Sequence, residues 1–378
     1  MIIKLKIRRN PYKNYNRLCK IIIAISICYI VCVGVFNVPD IEHLLDKAED
    51  RVVSAREFIK GENDELPFVD IEKNNESIMV VINDENLATI KKEEIISEQL
   101  AGGFDPLGGT LTKVQQNKLN KNRSIIENLK KEKNATYLIN NFFSVDSTTS
   151  VTEDMMNPNK LLSYKIATGN KNKKENIILI YHTHSSESYS DSVKGNRSDT
   201  IVGVGDYLTE LLEEKGYTVI HDTTAYDVKN GKWNRESYDT ALPSLKKYIK
   251  ENPGIIVTID LHRNSGNEKA VTIMNGVNVA QIMLFNGVSR NKNGQRVGLE
   301  NKNLQGNLAF SLRLLMCSME KYPDFAKKTY IKGYRYNLHL VPRALLVEVG
   351  NDKNTVAEAK AAMVPFADIL DEVLTGKY

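Results

Sequence analysis

The sequence predicts an α/β layer fold, with a mixed, mostly parallel sheet flanked by helices. Three observations support this. Short apolar runs recur through the C-terminal part of the chain, at Asn176–Tyr181, Ile255–Leu261, Gln281–Phe285 and Ala344–Val349. Helix-length amphipathic segments lie between them, and such alternation is the pattern of α/β layers. The polar residues that stand out follow these runs directly, and sites in such folds form at the carboxyl ends of the strands.

The elements can be taken in order. The first run, NIILIY at 176–181, follows the charged stretch KNKKE and reads as a buried strand. Asp199–Lys215 places Val202, Leu208, Leu211 and Leu212 on one helical face and closes at Gly216. Tyr217–His221 reads as a strand. Arg235–Lys250 reads as a helix stopped by Asn252-Pro253-Gly254. Ile255–Leu261 is a second apolar strand, and Gln281–Phe285 is another. Asn301–Tyr322 is a long amphipathic helix, Ala344–Val349 a last buried strand, and Asn354–Leu374 a closing helix.

The N-terminal part reads differently. Residues 1–20 hold seven Lys and Arg and no acid, so they form a basic tail. Ile21–Val38 follows, with Ser26 and Asn37 its only polar members apart from Cys and Tyr. At about 1.5 Å per residue it spans roughly 27 Å, close to the hydrocarbon thickness of a bilayer. The run is long and lacks a small-residue cleavage site, which favours a retained transmembrane anchor over a signal peptide. The basic flank then stays in the cytoplasm, and the chain from about residue 40 lies outside it. Residues 39–160 read as a stalk or adaptor. Within it, Ile41–Lys60 could be a helix near the membrane and Ile78–Asn83 a strand. Ser97–Lys133 is rich in turn-forming and polar residues. Asn134–Ser147 carries an apolar cluster of Tyr137, Leu138, Ile139, Phe142 and Phe143, suited to docking on the next domain. Residues 161–378 are expected to form the catalytic body.

The net charge of +4 does not indicate nucleic acid. With the tail set aside, the remaining chain is slightly acidic, and no basic stripe interleaves with aromatics. Cys19, Cys28 and Cys32 lie in or beside the apolar run, leaving Cys317 alone in the body, where no disulfide can form. Cys317 sits in an apolar helical pattern and reads as a small core residue.

Three strand ends carry the chemistry. The first run leads into Tyr181-His182-Thr183-His184-Ser185-Ser186-Glu187-Ser188. The strand at Ile255 leads into Asp260-Leu261-His262-Arg263-Asn264, and the last strand contains Glu348. The chain has six His, and three of them lie at these ends. A catalytic zinc takes three ligands from His, Asp or Glu and keeps a position open for water. A second carboxylate must then move the water's proton to the leaving nitrogen. Glu348 suits that role, because its apolar setting in LLVEVG should raise its pKa. No HExxH helix, G-x-S-x-G elbow or phosphate-binding loop competes with this reading.

YHTHSSESY, DLHRNS and LLVEVGN, together with the basic tail and single anchor, make the chain similar to the stage II sporulation protein P family, relatives of the zinc-dependent N-acetylmuramoyl-L-alanine amidases. The specific resemblance covers roughly 161–378. It implies the amidases' mixed α/β sheet and release of stem peptides from the glycan at the muramic acid–L-alanine amide. Endopeptidase cleavage is also associated with the family. It implies Zn2+, with His182, Glu187 and His262 as ligands and Glu348 as the catalytic glutamate. His184 and Glu187 also form an HxxE pair, as in zinc carboxypeptidases, so His184 is the alternative first ligand. Arg263 and Asn264 could hold substrate. The implied setting is the engulfing membrane around a forespore, and the implied partners are stage II sporulation proteins D and M. Two rival readings remain: a zinc carboxypeptidase or endopeptidase confined to stem peptides, and a non-catalytic wall-binding scaffold.

Overall fold

The structure is a computed structural model and describes residues 2–7, 71–74, 77–82, 105–106, 111–168 and 172–378. The chain divides into two compact units, Met1–Glu98 and Gln99–Tyr378. The expected anchor at 21–38 and the expected helix at 41–60 lie outside the described residues. No helix among the described residues is long and apolar enough to cross a membrane.

The first unit holds β1 (Ile2–Ile7), β2 (Ile71–Asn74) and β3 (Ser77–Ile82). They form a sheet in the order β1-β3-β2, with β1 parallel and β2 antiparallel to β3. β3 is the strand expected at 78–83. The expectation placed Ile2–Ile7 in a basic tail, yet its Ile3, Leu5 and Ile7 alternate with Lys4 and Lys6, a strand's period of two.

The second unit begins with α1 (Lys113–Glu132) and α2 (Ala135–Phe142), followed by β4 (Phe143–Val145) and α3 (Pro158–Ser163). Then come β5 (Ile177–Tyr181), α4 (Ile201–Glu214), β6 (Thr218–His221) and a small hairpin, β7 (Val228–Lys229) and β8 (Lys232–Trp233). They are followed by α5 (Ser237–Glu251), β9 (Ile255–Asn264), a second hairpin of β10 (Val271–Met274) and β11 (Val277–Ala280), and β12 (Ile282–Gly287). The chain closes with α6 (Leu304–Lys321), β13 (Ala326–Lys332), β14 (Ala344–Asn351) and α7 (Val356–Thr375).

Seven strands form one sheet in the order β4-β13-β12-β14-β9-β5-β6. Five neighbouring pairs are parallel and β12–β14 is antiparallel. This is the mixed, mostly parallel sheet expected. The pleat sends alternate side chains to opposite faces. Leu179 and Tyr181 of β5 pack with Ala241 and Leu245 of α5. Ile178 and Ile180 are equally buried and face the other way, toward the side where α4, α6 and α7 pack together.

The boundary differs from the expectation. Residues 113–160 are part of the second unit, and the compact body starts at Gln99 rather than at Leu161. The polar composition of Ser97–Lys133 reads as turns, yet α1 spans 20 residues. Thr112 and Gln115 close its start in a reciprocal capping box. Leu119, Asn122, Ile126 and Leu129 are buried along one stripe, and the helix packs on α6. A narrow apolar stripe diluted by Lys, Asn and Gln hides its period in composition, though not in spacing. The apolar cluster at 134–147 docks as expected: β4 pairs with β13 and forms an edge of the main sheet.

The course of the chain sets where a site can form. From β5 the chain passes through α4 to the edge strand β6, then returns through α5 to β9 on the other side of β5. The carboxyl ends of β5 and β9 therefore flank a point where the chain's direction across the sheet reverses. Such points leave an open crevice in α/β sheets.

If α1 belongs to the body's core, Leu129→Ala should lower the unfolding free energy of the 99–378 unit by about 2–5 kcal/mol. Chemical denaturation would measure this. An unchanged midpoint would mean that α1 is only an attached stalk element.

Candidate metal centre

The residues at the β5–β9 crevice form a connected set. β9 pairs with β14 so that His262 lies directly opposite Glu348 and Asp260 opposite Leu346. Tyr181 lies opposite Asp260 on the other side. Tyr181 and Leu346 belong to the face covered by α5 and the 334–341 segment. Asp260, His262 and Glu348 share that face by the period of two.

After β5 the chain turns through Thr183–Ser186. Asp227, just before β7, clamps this turn: Ser185 Oγ donates to its Oδ1 at 2.7 Å, and Ser186 N and Oγ donate to its Oδ2. The turn brings His184 and Glu187 together, with His184 Nδ1 3.2 Å from Glu187 Oε1. Glu187 Oε2 lies 3.4 Å from His262 Nδ1 and accepts the Arg263 backbone N–H at 2.8 Å. The His184 and His262 rings meet edge to face at 4.9 Å. Tyr238, in the first turn of α5, stacks parallel to His262 at 6.4 Å and meets His184 edge-on at 5.6 Å.

His262 is held from behind. Its Nε2 lies 2.9 Å from Asp260 Oδ1 and 2.8 Å from Thr183 Oγ1. Thr183 donates its backbone N–H and its hydroxyl to the same carboxylate, each at 2.9 Å. This makes Nε2 the protonated nitrogen and turns Nδ1 toward Glu187. A carboxylate behind a histidine in this way fixes the ring and raises its basicity. Burial opposes a charge on His262, but Asp260 and then Tyr238 and Glu187 raise its pKa well above the usual value. Burial likewise opposes the Glu187 charge, yet His262 and the hydrogen bonds from His184, His262 and Arg263 lower it to about 2. Glu187 stays anionic against the charge of His262, so a metal ion would bind there in exchange for the His262 Nδ1 proton.

One ligand atom from each of His184, Glu187 and His262 falls within 4.8 Å of the others. Two imidazoles and a carboxylate are a known donor set for catalytic zinc, so the residues present fit that metal. Glu348 adjoins them. Burial, with Glu187 and Asp260 adding to it and His262 opposing it, raises its pKa to about 7. Its Oε2 is buried and has no hydrogen-bond partner among the described residues. A partnerless carboxyl that titrates near neutrality can both take and give a proton.

The structure does not bring His182 into this cluster. His182 follows Tyr181 by one residue, so the pleat sends it to the opposite face. Its Nδ1–H donates to Leu261 O at 2.9 Å, which leaves Nε2 to accept from His221 Nε2 at 2.8 Å. Burial and then His221 lower its pKa to about 3. Both ring nitrogens are therefore engaged away from Glu187. His221, read as an incidental histidine, is that partner, and its Nδ1 lies 3.1 Å from Asp206 Oδ1.

Arg263 makes no salt bridge among the described residues. Its Nε donates to Ser188 O and its Nη1 to Asn264 O, so it braces the loop that carries Glu187. Asn264 is exposed at the end of β9 and lines a cleft with Glu348. Cys317 is buried in α6, and burial and then Glu372 raise its thiol pKa, which leaves no reactive thiolate. Asp260, Thr183 and Asp227 are the residues that sequence reasoning left without a role. Asp260 had a legible signal, since it precedes His262 by two in a strand and must share its face.

Gly350, two residues after Glu348, has φ +60, and a Cβ there would lie 2.6 Å from Asn354 Oδ1. Only glycine lets the chain leave Glu348 in this direction. Gly205 of α4 is constrained by space alone: a Cβ would lie 2.7 Å from His221 Nε2 and 2.8 Å from His182 Nε2.

Comparison with known proteins adds a family. The sequence profile for stage II sporulation protein P matches residues 62–371. That span includes much of the region expected to be a separate stalk. Stage II sporulation protein P of Bacillus subtilis (strain 168) is 28% identical over 226 residues, which cover 55% of this chain and 53% of the relative. The match thus spans about half the relative's length. Among solved structures, the chain is similar to N-acetylmuramoyl-L-alanine amidase AmiC2 of Nostoc punctiforme. The TM-score is 0.30 at 12% identity, over 52% of this chain and 96% of that one.

Gly205→Ala should push His182 and His221 apart and destabilise the fold by about 1–3 kcal/mol, despite alanine's better helix propensity. A thermal midpoint equal to or above that of the parent would show that the two rings are free to move.

Proposed function

The chain belongs to the stage II sporulation protein P family, and from that premise we propose that it is a zinc-dependent hydrolase of peptidoglycan. The observation that carries the reading is the meeting of His184, Glu187 and His262 beside Glu348, whose buried Oε2 has no hydrogen-bond partner among the described residues. We assign the ligands as His184, Glu187 and His262. His182 becomes a support for β9 through Leu261 O. Zinc bound there supplies an acidified water and polarises a carbonyl.

The chain's own residues account for the rest. Asp260 and Thr183 hold His262 in one tautomer, with Nδ1 toward the ligand cluster. The Arg263 N–H and His184 orient Glu187. Glu348 accepts a proton from the attacking water and returns it to the leaving nitrogen. Hydrolysis adds the water's hydroxyl to the acyl carbon and its proton to the amine, so a single carboxyl near pKa 7 serves both transfers. The bond we propose is the amide between N-acetylmuramic acid and L-alanine, cut during engulfment in sporulation. The reading includes an anchor at 21–38, a catalytic body outside the cytoplasm, and stage II sporulation proteins D and M as partners.

The His184-x-x-Glu187 spacing favours a second reading, a peptidase confined to stem peptides. The two differ in products. The amidase frees intact stem peptides from muramic acid, whereas the peptidase shortens peptides that stay attached.

Two expected outcomes test the site. His184→Ala and His262→Ala should each lose most of the zinc, measured as metal per chain after dialysis, while His182→Ala should keep it if it folds. Glu348→Gln should keep zinc and lose hydrolysis of purified peptidoglycan by roughly 10²–10⁴-fold. Full zinc in His184→Ala together with loss in His182→Ala would return the first ligand to His182.

The pH profile tests Glu348. Its base form is the carboxylate, so kcat/KM should rise with pH as the proton leaves. A cation at the three ligands adds positive charge beside it and draws that limb to or below pH 7. A profile flat from about pH 5 to 8 would remove Glu348 from the role of base.

A further inference from the structure

A cleft of about 220 Å³ opens beside Glu348, and none of His184, Glu187 and His262 lines it. The sheet register defines its floor. His262 of β9 lies opposite Glu348 of β14, Glu348 opposite Met283 of β12, and Met283 opposite Lys327 of β13. Glu348, Met283 and Lys327 all line the cleft. With strands about 4.8 Å apart, the Lys327 backbone lies roughly 10 Å from that of Glu348 and 14 Å from that of His262. One row thus runs from a ligand to the proton-carrying carboxyl, an apolar side chain and a cation.

Lys327 is exposed and makes no ion pair or hydrogen bond among the described residues. Its neighbour Lys328 is used differently, donating to Asn140 O. Asn264 and Glu268, at and after the end of β9, also line the cleft, and β9 lies three strands from β13 in the sheet. A carboxylate at Glu268 repels an anion placed near it, so an anion in the cleft is best held at the β13 end.

This row gives the site a direction. Glu348 returns its proton to the leaving nitrogen, so the leaving amine lies on the Glu348 side of the scissile carbon. From there the only continuation along the row is over Met283 to Lys327. We propose that this cleft is the subsite for the leaving peptide and that Lys327 binds a carboxylate carried two or three residues beyond the new amine. The spacing supports that length. An extended peptide advances about 3.3–3.6 Å per residue, so two residues plus the reach of the lysine span the row. Met283 offers apolar contact to the first side chain, and the exposed amide of Asn264 can hydrogen-bond the peptide backbone.

The inference rests on the proposed hydrolysis, so its test uses two readouts. The full chain, loaded with zinc, is given N-acetylmuramoyl-L-alanyl-D-glutamate or the same compound with both carboxyls amidated. Lys327→Met should raise KM for the carboxylate compound about 5–10-fold, change kcat less than about twofold, and leave KM for the amidated compound unaltered. Equal effects on both compounds, or none on either, would overturn the subsite. The second readout needs no turnover: calorimetry of the zinc-free protein with L-Ala-D-Glu and with its diamide. The parent should favour the free dipeptide and Lys327→Met should not. If the parent hydrolyses neither compound yet shows that preference, the hydrolase reading fails and the subsite stands. If it hydrolyses both without regard to charge and binds both dipeptides alike, the subsite fails and the hydrolase reading stands.

Discussion

The pairing of β9 with β14 is the constraint on which the rest of the site depends. Its register sets Glu348 beside His262, and parallel strands place side chains at matched positions on one face about one strand spacing apart. A slip of one residue would send Glu348 to the opposite face. The register is held at the carboxyl end of β14. Asn351 pairs with Asn264 beyond an irregularity, and Gly350 takes a left-handed turn that only glycine fits. The α5 side is filled by Tyr238, Phe285, Leu338 and Leu346, so the strands cannot shift without disturbing an apolar layer.

The end of β5 explains the division of labour between two histidines two residues apart, which a continued strand would place on one face. His182 and His184 flank Thr183, and their tasks are opposite. His182 points to the α4 face, where a neutral ring joins Leu261 to His221. His184 lies beyond the strand, in a turn fixed by Asp227, and reaches Glu187. Thr183 between them grips Asp260 and so steadies the ring of His262. A short polar motif thus serves both faces of the sheet. The His184, Glu187 and His262 side is held in place by hydrogen bonds of the chain itself, which is what a cation site needs to bind without refolding.

Charge is distributed to the same end. Glu187 is kept anionic by His262 and three hydrogen bonds despite its burial. Glu348, with burial and two like charges around it, is kept near neutrality in titration. Two carboxylates in one small site with opposite shifts suit the different tasks proposed for them, one to hold a cation and one to exchange a proton. Beyond Glu348, the uncommitted cation of Lys327 gives the cleft a polarity that an isolated catalytic cluster lacks.

Much of this was legible in the sequence by itself. The alternation of apolar runs and amphipathic segments from residue 176 onward determined the α/β layers, because period and length are local properties. The rule that sites form at strand ends picked out HTHSSE, DLHRN and Glu348, and the apolar neighbours of Glu348 foretold its raised pKa. Other features required the tertiary structure. α1 was hidden because its buried stripe is narrow and finds its partner in α6, nearly two hundred residues away. Which of His182 and His184 lies beside Glu187 and His262 depended on where the strand ends and which face each ring meets, so it was set by packing against α4 and by the Asp227 clamp. The row from His262 to Lys327 joins four strands that are dispersed in sequence. Only the order and register of the sheet, which are set by long-range pairing, could bring them into line.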